Sequence, residues 1–560
     1  MHGGVKFYRG AAGAARTYVE ADRSRADDYY LAEGTGLAER YVATPALEGG
    51  TPGGYGQNGV VRAAEMMDGP AYERWVAGYD VETGQAKGRL RQDARGLRFV
   101  EVVVNGPKTW SLAAALHPEI AAAYDRVQDR AAGEIIGWLA DHATTRVGPR
   151  GRQVQVPVEK LEAAVVRRYT SRAGDPHRHL HLQINARVFA QGAWRGLHSV
   201  GVVDSIEAIN GIGHAAVMCD PEFRGVLAGH GYTLDPATGE VAQLAPYAGA
   251  FSARAAQITR NIDRYEAHWR SEHPSQEPGP ALRRAWDRRA WSQARPDKVA
   301  PVSGDELRAR WLAELHQLGF KAPAAAIDAV EHRGVPIGRI RRDAVVDLVL
   351  SRLGSRRSSW NAADIRGEVE RIIAAVDVVT PAPVRHELVE DLTDRTVARC
   401  VPLLARDDVP EHVRALTSRE VLEVEADLIA RLTARAEQPA TSARVGTVVA
   451  RRHLDHAQRQ VVAALGGTAQ LLVIEGAAWC WQDHHPGRRP RAARDAKHPD
   501  GGGDPDPQSS TGRRGTAGSL LVHQRLAGPP ARLPLGRGRP LDPHPGPARG
   551  LASARAAAAR

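Results

Sequence analysis

The sequence predicts a mixed α/β protein of two layers over residues 1 to about 300, then a helical region, then the opening of a nucleotide-binding unit. Three observations carry this. Gly96 to Asn105 reads GLRFVEVVVN, with four valines between Val100 and Val104, the pattern of a buried strand. Two further strand-like runs, Leu161 to Tyr169 and His177 to Phe189, flank the turn Ala173-Gly174-Asp175-Pro176. Helical spacing then dominates from 303 to 440, as in Leu307-Trp311-Leu312-Leu315 and Ile365-Val369-Ile372-Ile373.

Taken in order, Ala11 to Tyr30 reads as helical. Lys108 to Leu116 starts a helix after Pro107, where the ring fits the first turn. Asp204 to Gly229 is helical, and Tyr232-Thr233-Leu234 starts a short strand pair. Residues 301–440 read as helical linker. In 441–478, His456-Ala457-Gln458 opens a helix, and Gln470 to Gly476 (QLLVIEG) is a buried strand ending in glycine, the approach to a phosphate loop.

After Trp481 there is no Glu, Ile, Phe, Tyr, Trp or Asn, and Val522 is the one valine. Such a chain cannot bury enough apolar surface to offset its entropy, so 479–560 is expected to be disordered. The genetic code suggests a cause. Trp479-Cys480-Trp481-Gln482-Asp483-His484-His485 can be encoded TGG-TGC-TGG-CAA-GAC-CAC-CAC. Without the first T, the codons read Gly-Ala-Gly-Lys-Thr-Thr. Joined to Gly476-Ala477-Ala478, they restore the phosphate-loop pattern G-x-x-x-x-G-K-T. A frameshift at about Ala478 is the resulting expectation.

Composition bounds the partners. The 560 residues suffice for roughly three or four domains. A net charge of +10 favours a polyanion, although arginines after Arg488 inflate it. Cys219, Cys400 and Cys480 form no disulfide or metal pattern, which fits a reducing, cytoplasmic setting. No run of about 18 apolar residues exists, so no membrane insertion is expected.

The candidate chemistry centres on Pro176-His177-Arg178-His179-Leu180-His181. Alternate strand residues share a face, so His177, His179 and His181 present three imidazoles together, ligands suited to a divalent metal. At about 3.3 Å per residue, His177 and His181 are about 13 Å apart on a straight strand. His179 and His181 are therefore the surer pair. Tyr18, Tyr29 and Tyr30 are possible phosphodiester nucleophiles. Glu101, in its apolar strand, can orient a ligating histidine or act as a base. Lys108 at a helix start suits a phosphate.

In this order these residues resemble the conjugative relaxases of the TrwC/MobF type, in the HUH endonuclease superfamily. Tyr18 resembles the first catalytic tyrosine, and Asp27-Asp28-Tyr29-Tyr30 the second cluster. Glu101 to Leu112, Thr170-Ser171-Arg172, Asp175-Pro176, His179-Leu180-His181 and Trp194-Arg195 follow as in that family. The chain departs from the pattern twice. Glu101 stands where Asp is usual, and Arg168 stands where the third metal histidine is expected, with His177 as its possible replacement.

The resemblance implies a five-stranded antiparallel sheet with helices over 1–300, followed after the linker by the start of a RecD-like helicase. It implies metal-dependent (Mg or Mn) nicking and rejoining of single-stranded DNA at an origin of transfer. Tyr18 would form a 5′-phosphotyrosine, and Tyr29 or Tyr30 would serve a second transfer. Arg172, Arg195 and Arg254 would join Lys108 on the DNA. Auxiliary relaxosome proteins and a coupling protein are implied partners. With its phosphate loop lost, no ATP would be bound. Two other readings of the residues stay open: a non-catalytic origin-DNA binder, and a metal-dependent phosphoesterase.

Overall fold

The structure, a computed structural model, describes residues 4–22, 36–45, 59–149 (save 92 and 94), 151–292 (save 172 and 275), 304–324, 334–439 (save 407 and 408), 441–442 and 456–472. Tyr29, Tyr30, Arg172, most of the expected strand at 470–476 and the whole tail lie outside the described residues.

The first unit spans residues up to 257 and again 295–421. Its elements begin with β1 (Val5–Arg9), α1 (Ala12–Asp22), β2 (Glu39–Ala43), β3 (Val60–Arg62), α2 (Gly69–Ala77) and β4 (Leu97–Asn105). Next come α3 (Lys108–Leu116), α4 (Pro118–His142), β5 (Thr144–Val147), β6 (Val154–Pro157), β7 (Leu161–Thr170) and β8 (Pro176–Asn185). The hairpin β9 (Arg187–Ala190) and β10 (Ala193–Gly196) precedes α5 (Ser199–Asp204), α6 (Ile206–Met218), α7 (Pro221–Gly229) and the first residues, up to Gln257, of α8 (Ala253–Glu272).

The main sheet has the order β1-β4-β8-β7-β2-β3, and every neighbouring pair is antiparallel. The expected count of five is corrected to six. The edge strands Val5–Arg9 and Val60–Arg62 are too short, at five and three residues, to read as strands alone, and pairing to their neighbours forms them. The long runs fare differently: β4, α3 and β7 lie within a residue of where periodicity sets them.

Helices cover both faces of the sheet, so the two layers expected are corrected to three, because both faces of the central strands carry buried apolar residues that need cover. Val100, Val102, Val104, Ala163, Val165, Leu180, Leu182 and Ile184 pack in one core with Trp110, Leu112, Ile120 and Tyr124 from α3 and α4. Phe99, Ala164 and Val166, on the opposite face, pack with Ala15 and Val19 of α1 and Tyr72, Trp75 and Val76 of α2. This second face also holds a buried ion pair, Lys87 Nζ to Glu162 Oε2 at 2.5 Å, and Trp75 Nε1 donates to the same carboxylate at 3.0 Å.

The larger core continues into α10 (Gly304–Gln317), which follows α9 (Pro280–Ser292), and into α11 (Arg342–Gly354), α12 (Ala362–Ala375) and α13 (Ala382–Arg399). Arg385 of α13 pairs in the interior with Glu134 of α4. The expected helix at 204–229 is broken in two places. Ser205 separates α5 from α6, and Asp220 caps α7 by accepting from the Phe223 amide, with Pro221 in the first turn. The expected strand pair near Tyr232 reduces to a single bridge, Leu234 to Val241.

The second unit takes in 258–294 and, from 422, the rest of α14 (Arg419–Ala436) and α15 (His456–Leu465). Trp269 meets Trp286 edge-on at 6.2 Å, and Arg289 lies over the Tyr265 ring. No helix among the described residues is long and apolar enough to cross a membrane.

Candidate active site

Strand β8 lies between β4 and β7 at the middle of the sheet. Its two faces are held differently. Arg178 points to the α4 side, where its guanidinium grips both oxygens of Asp125 at 2.7 Å and its amide donates to Ser111 Oγ at 2.9 Å. The alternation of the strand then sends His177, His179 and His181 to the other side. Their rings form a row, with centroids 4.4 Å apart from His177 to His179 and 5.0 Å from His179 to His181.

The histidine row carries lone pairs. Burial, then the Lys108 and His181 charges, push His177 down to about 3. Burial, then His177 and His181, hold His179 well below the usual imidazole range. Both are therefore neutral at physiological pH. His179 donates Nδ1–H to the His177 carbonyl at 2.8 Å, so its Nε2 is left as an acceptor. His181 Nδ1 faces Glu101 Oε2 at 3.2 Å, so its Nε2 points away from that carboxylate. The buried Nδ1 of His177 has no hydrogen-bond partner among the described residues.

This donor chemistry suits a divalent cation at His179 and His181. The three rings stand as a ladder, and among the described residues no three His, Cys, Asp or Glu side chains converge on a cation site.

Glu101 is the hub of a buried polar chain. It accepts from His181 and from Gln183 Nε2 at 3.3 Å, and Lys6 Nζ lies 3.8 Å away. Gln183 in turn accepts from Tyr72 Oη at 2.7 Å. Burial raises the Glu101 carboxyl, but the hydrogen bond and charge of His181, then Lys6 and Gln183, outweigh it and hold it at about 2. Gln183 and Tyr72 were not singled out by sequence. One signal was present: Gln183 lies two residues beyond His181 and so shares its face.

The turn before the histidines is pinned from several sides. Gly174 has φ 75°, a conformation that suits glycine. Ser171 Oγ accepts from the Ala173 and Asp175 amides. Asp175 accepts from Ser171 Oγ and from the Ala253 amide at the start of α8. The Gly174 carbonyl accepts from Arg310 Nη2 at 2.6 Å and Trp311 Nε1 at 2.9 Å, both on α10.

Lys108 begins α3, and its Nζ donates to the Pro176 carbonyl at 3.0 Å. Burial pulls it down to about 8, with Asp175 opposing. Gly106 admits the chain here, because a Cβ would lie 2.1 Å from the Trp110 ring.

Tyr18 lies on α1 and is 40% exposed. The carbonyl of the next residue, Val19, accepts from Arg168 Nη2 at 2.8 Å, and Arg168 stands opposite His179 in the β7–β8 ladder. Arg195 donates to the Ala190 carbonyl within its own hairpin, and Arg254 to Gln257 on its own helix. The structure thus gathers Glu101, Lys108, His177, His179 and His181 around β8 and ties α1 to the neighbouring strand β7.

Fold and site together define an antiparallel α/β protein with a carboxylate-supported imidazole row on its central strand and an exposed tyrosine on a helix tied to the neighbouring strand. The TrwC relaxase family model matches residues 12–318, more than half of the chain, and the chain belongs to that family.

Solved structures of similar sequence include the conjugative relaxase TrwC with OriT DNA in a metal-free form (22% identity, 57% of this chain and 100% of that one, TM-score 0.39). A copper-bound form of the same complex is 22% identical over 57% of this chain and 99% of that one, with a TM-score of 0.40. No curated protein matches the chain.

Proposed function

We propose that the chain nicks and rejoins one strand of plasmid DNA at an origin of transfer, as a conjugative relaxase. Membership of a relaxase family implies DNA endonuclease and transesterase chemistry. The observation that carries the reading is the row of imidazoles backed by Glu101 on the central strands, with Arg168 across the ladder bonded to the helix of Tyr18.

Tyr18 is the nucleophile. Its Oη–P bond forms as the P–O3′ bond breaks, the phenol proton passes to solvent, and the leaving 3′ oxygen takes one up. The 5′ phosphate stays on Tyr18, and reversal rejoins the strand. Tyr29 or Tyr30 serves the second transfer. His179 and His181 hold a divalent cation, Mg or Mn, with His177 beside them, and that cation supplies charge neutralisation at the phosphate. Glu101 orients His181. Its carboxyl, held at about 2 and already accepting two hydrogen bonds, is a poor base and a good anchor. Lys108, Arg172, Arg195 and Arg254 contact the DNA, in keeping with the net charge of +10. Auxiliary relaxosome proteins and a coupling protein are its partners in transfer.

The relaxase works without a motor. The strand-to-glycine pattern at 470–476 is the start of a RecD-like helicase whose phosphate loop is lost at about Ala478, so no ATP is bound. Sequencing the DNA across these codons tests this, and an in-frame gene with no helicase in the shifted frame refutes it.

The nicking reading is tested with the purified full chain, Mn and oligonucleotides tiling the transfer origin of the parent plasmid. Wild type is expected to yield a covalent protein–DNA adduct. Tyr18→Phe should abolish the adduct and leave binding within about twofold. Cleavage without an adduct would favour a phosphoesterase, and binding without cleavage a non-catalytic binder.

A further inference from the structure

Arg168 is buried at 3% exposure on β7, directly across the ladder from His179. Facing residues of an antiparallel pair share a side of the sheet, so the guanidinium stands on the histidine side. Its Nη2 bond to the Val19 carbonyl aims it at the backbone beside Tyr18. A guanidinium does not lose its proton in proteins, so this is a permanent positive charge set between the nucleophile's helix and the imidazole row. A buried charge is weakly screened. It attracts a phosphate and repels a dication placed at the same histidines.

We propose that Arg168 is a built-in cation of this site: it positions the Tyr18 helix, takes over part of the neutralisation of the scissile phosphate, and weakens cation binding at His179 and His181. Arg168 acts through α1 and through its field, and is a positioning residue. The inference rests on the relaxase reading for its activity arm alone.

The test compares the full-length wild type with R168Q, R168K and R168H. Mn affinity is measured by titration calorimetry, and oligonucleotide nicking is measured in EDTA and in saturating Mn. Wild type should retain measurable nicking in EDTA. R168Q should bind Mn at least about fivefold tighter and lose at least about tenfold of its EDTA nicking, with a smaller loss in Mn. R168K should stay near wild type in both. R168H, which removes the permanent charge and adds an imidazole, should also bind Mn more tightly, and it carries the test if R168Q fails to fold.

Unchanged Mn affinity in both R168Q and R168H overturns the proposal. So does R168K falling as far as R168Q, because shape alone would then explain the role. If wild type nicks under no condition, the relaxase reading fails, while the Mn titration still decides whether the Arg168 charge opposes the cation.

Discussion

Replacing Glu101 by Gln removes the charge at the hub of the buried chain while nearly keeping its shape. The carboxyl drops from its ordinary value near 4.5 to about 2 in the folded chain. By linkage, that difference corresponds to about 3 kcal/mol of stability at most. The sign follows from the direction. A depressed carboxyl contributes stability that is full above about 4.5 and lost as pH falls toward about 2. Wild type should therefore lose stability progressively below pH 4.5, and E101Q should be less stable at pH 7 with a shallower loss below 4.5. Both hydrogen bonds fall on Oε2, so the amide oxygen can keep them, and the NH2 then takes the place of Oε1, where it faces Lys6 Nζ and replaces an ion-pair attraction with a repelling contact. Urea denaturation of the full chain at pH 7 and in steps down to pH 3.5 measures both effects. Equal stability at pH 7, or the same slope below pH 4.5 in both proteins, would refute the assignment of Glu101 as a carboxylate held by His181.

Two further substitutions probe the frame of the site. Lys87→Met strands the Glu162 carboxylate in the interior and should cost about 3–5 kcal/mol by chemical denaturation, with part recovered in a K87M/E162Q double variant. Trp311→Ala leaves a cavity in α10 and frees the Gly174 carbonyl, so a loss of about 3–5 kcal/mol in the same assay is expected. Its nicking at 25 °C should fall well beyond the fraction unfolded, because the turn that aims the histidines is loosened.

Much of this was legible in the chain. The Val100–Val104 run, the helix after Pro107 and the strand 161–170 are local patterns strong enough to fix their own state, and tertiary packing agrees with them. The short strands were not legible. VKFYR and VVR are β-favouring but too short to stand out by themselves, and neighbours that offer free ladder bonds form them. The break at Asp220-Pro221 was readable as a cap followed by a helix-starting proline, but the apolar run on either side masked it.

At the site, the alternating histidines showed their common face, while the spacing argument set the limit that their ladder arrangement reflects. Gln183 and Tyr72 escaped notice because a buried amide and a buried phenol belong to no motif. Their role depends on what lies across the strands. Arg168 was visible as a departure from the family pattern, but its bond to Val19 joins positions 149 residues apart, which no local pattern reports.

The clamp on Gly174 has a consequence for the order of events during synthesis. Trp311 is 137 residues downstream of the carbonyl it holds. A ribosome that has released every strand of the main sheet has therefore not yet released the group that closes the histidine turn. Contacts this distant in sequence form late, after a large loop-closure cost. The nascent sheet can assemble with its histidines in place, while the final setting of the turn waits for α10 to leave the exit tunnel.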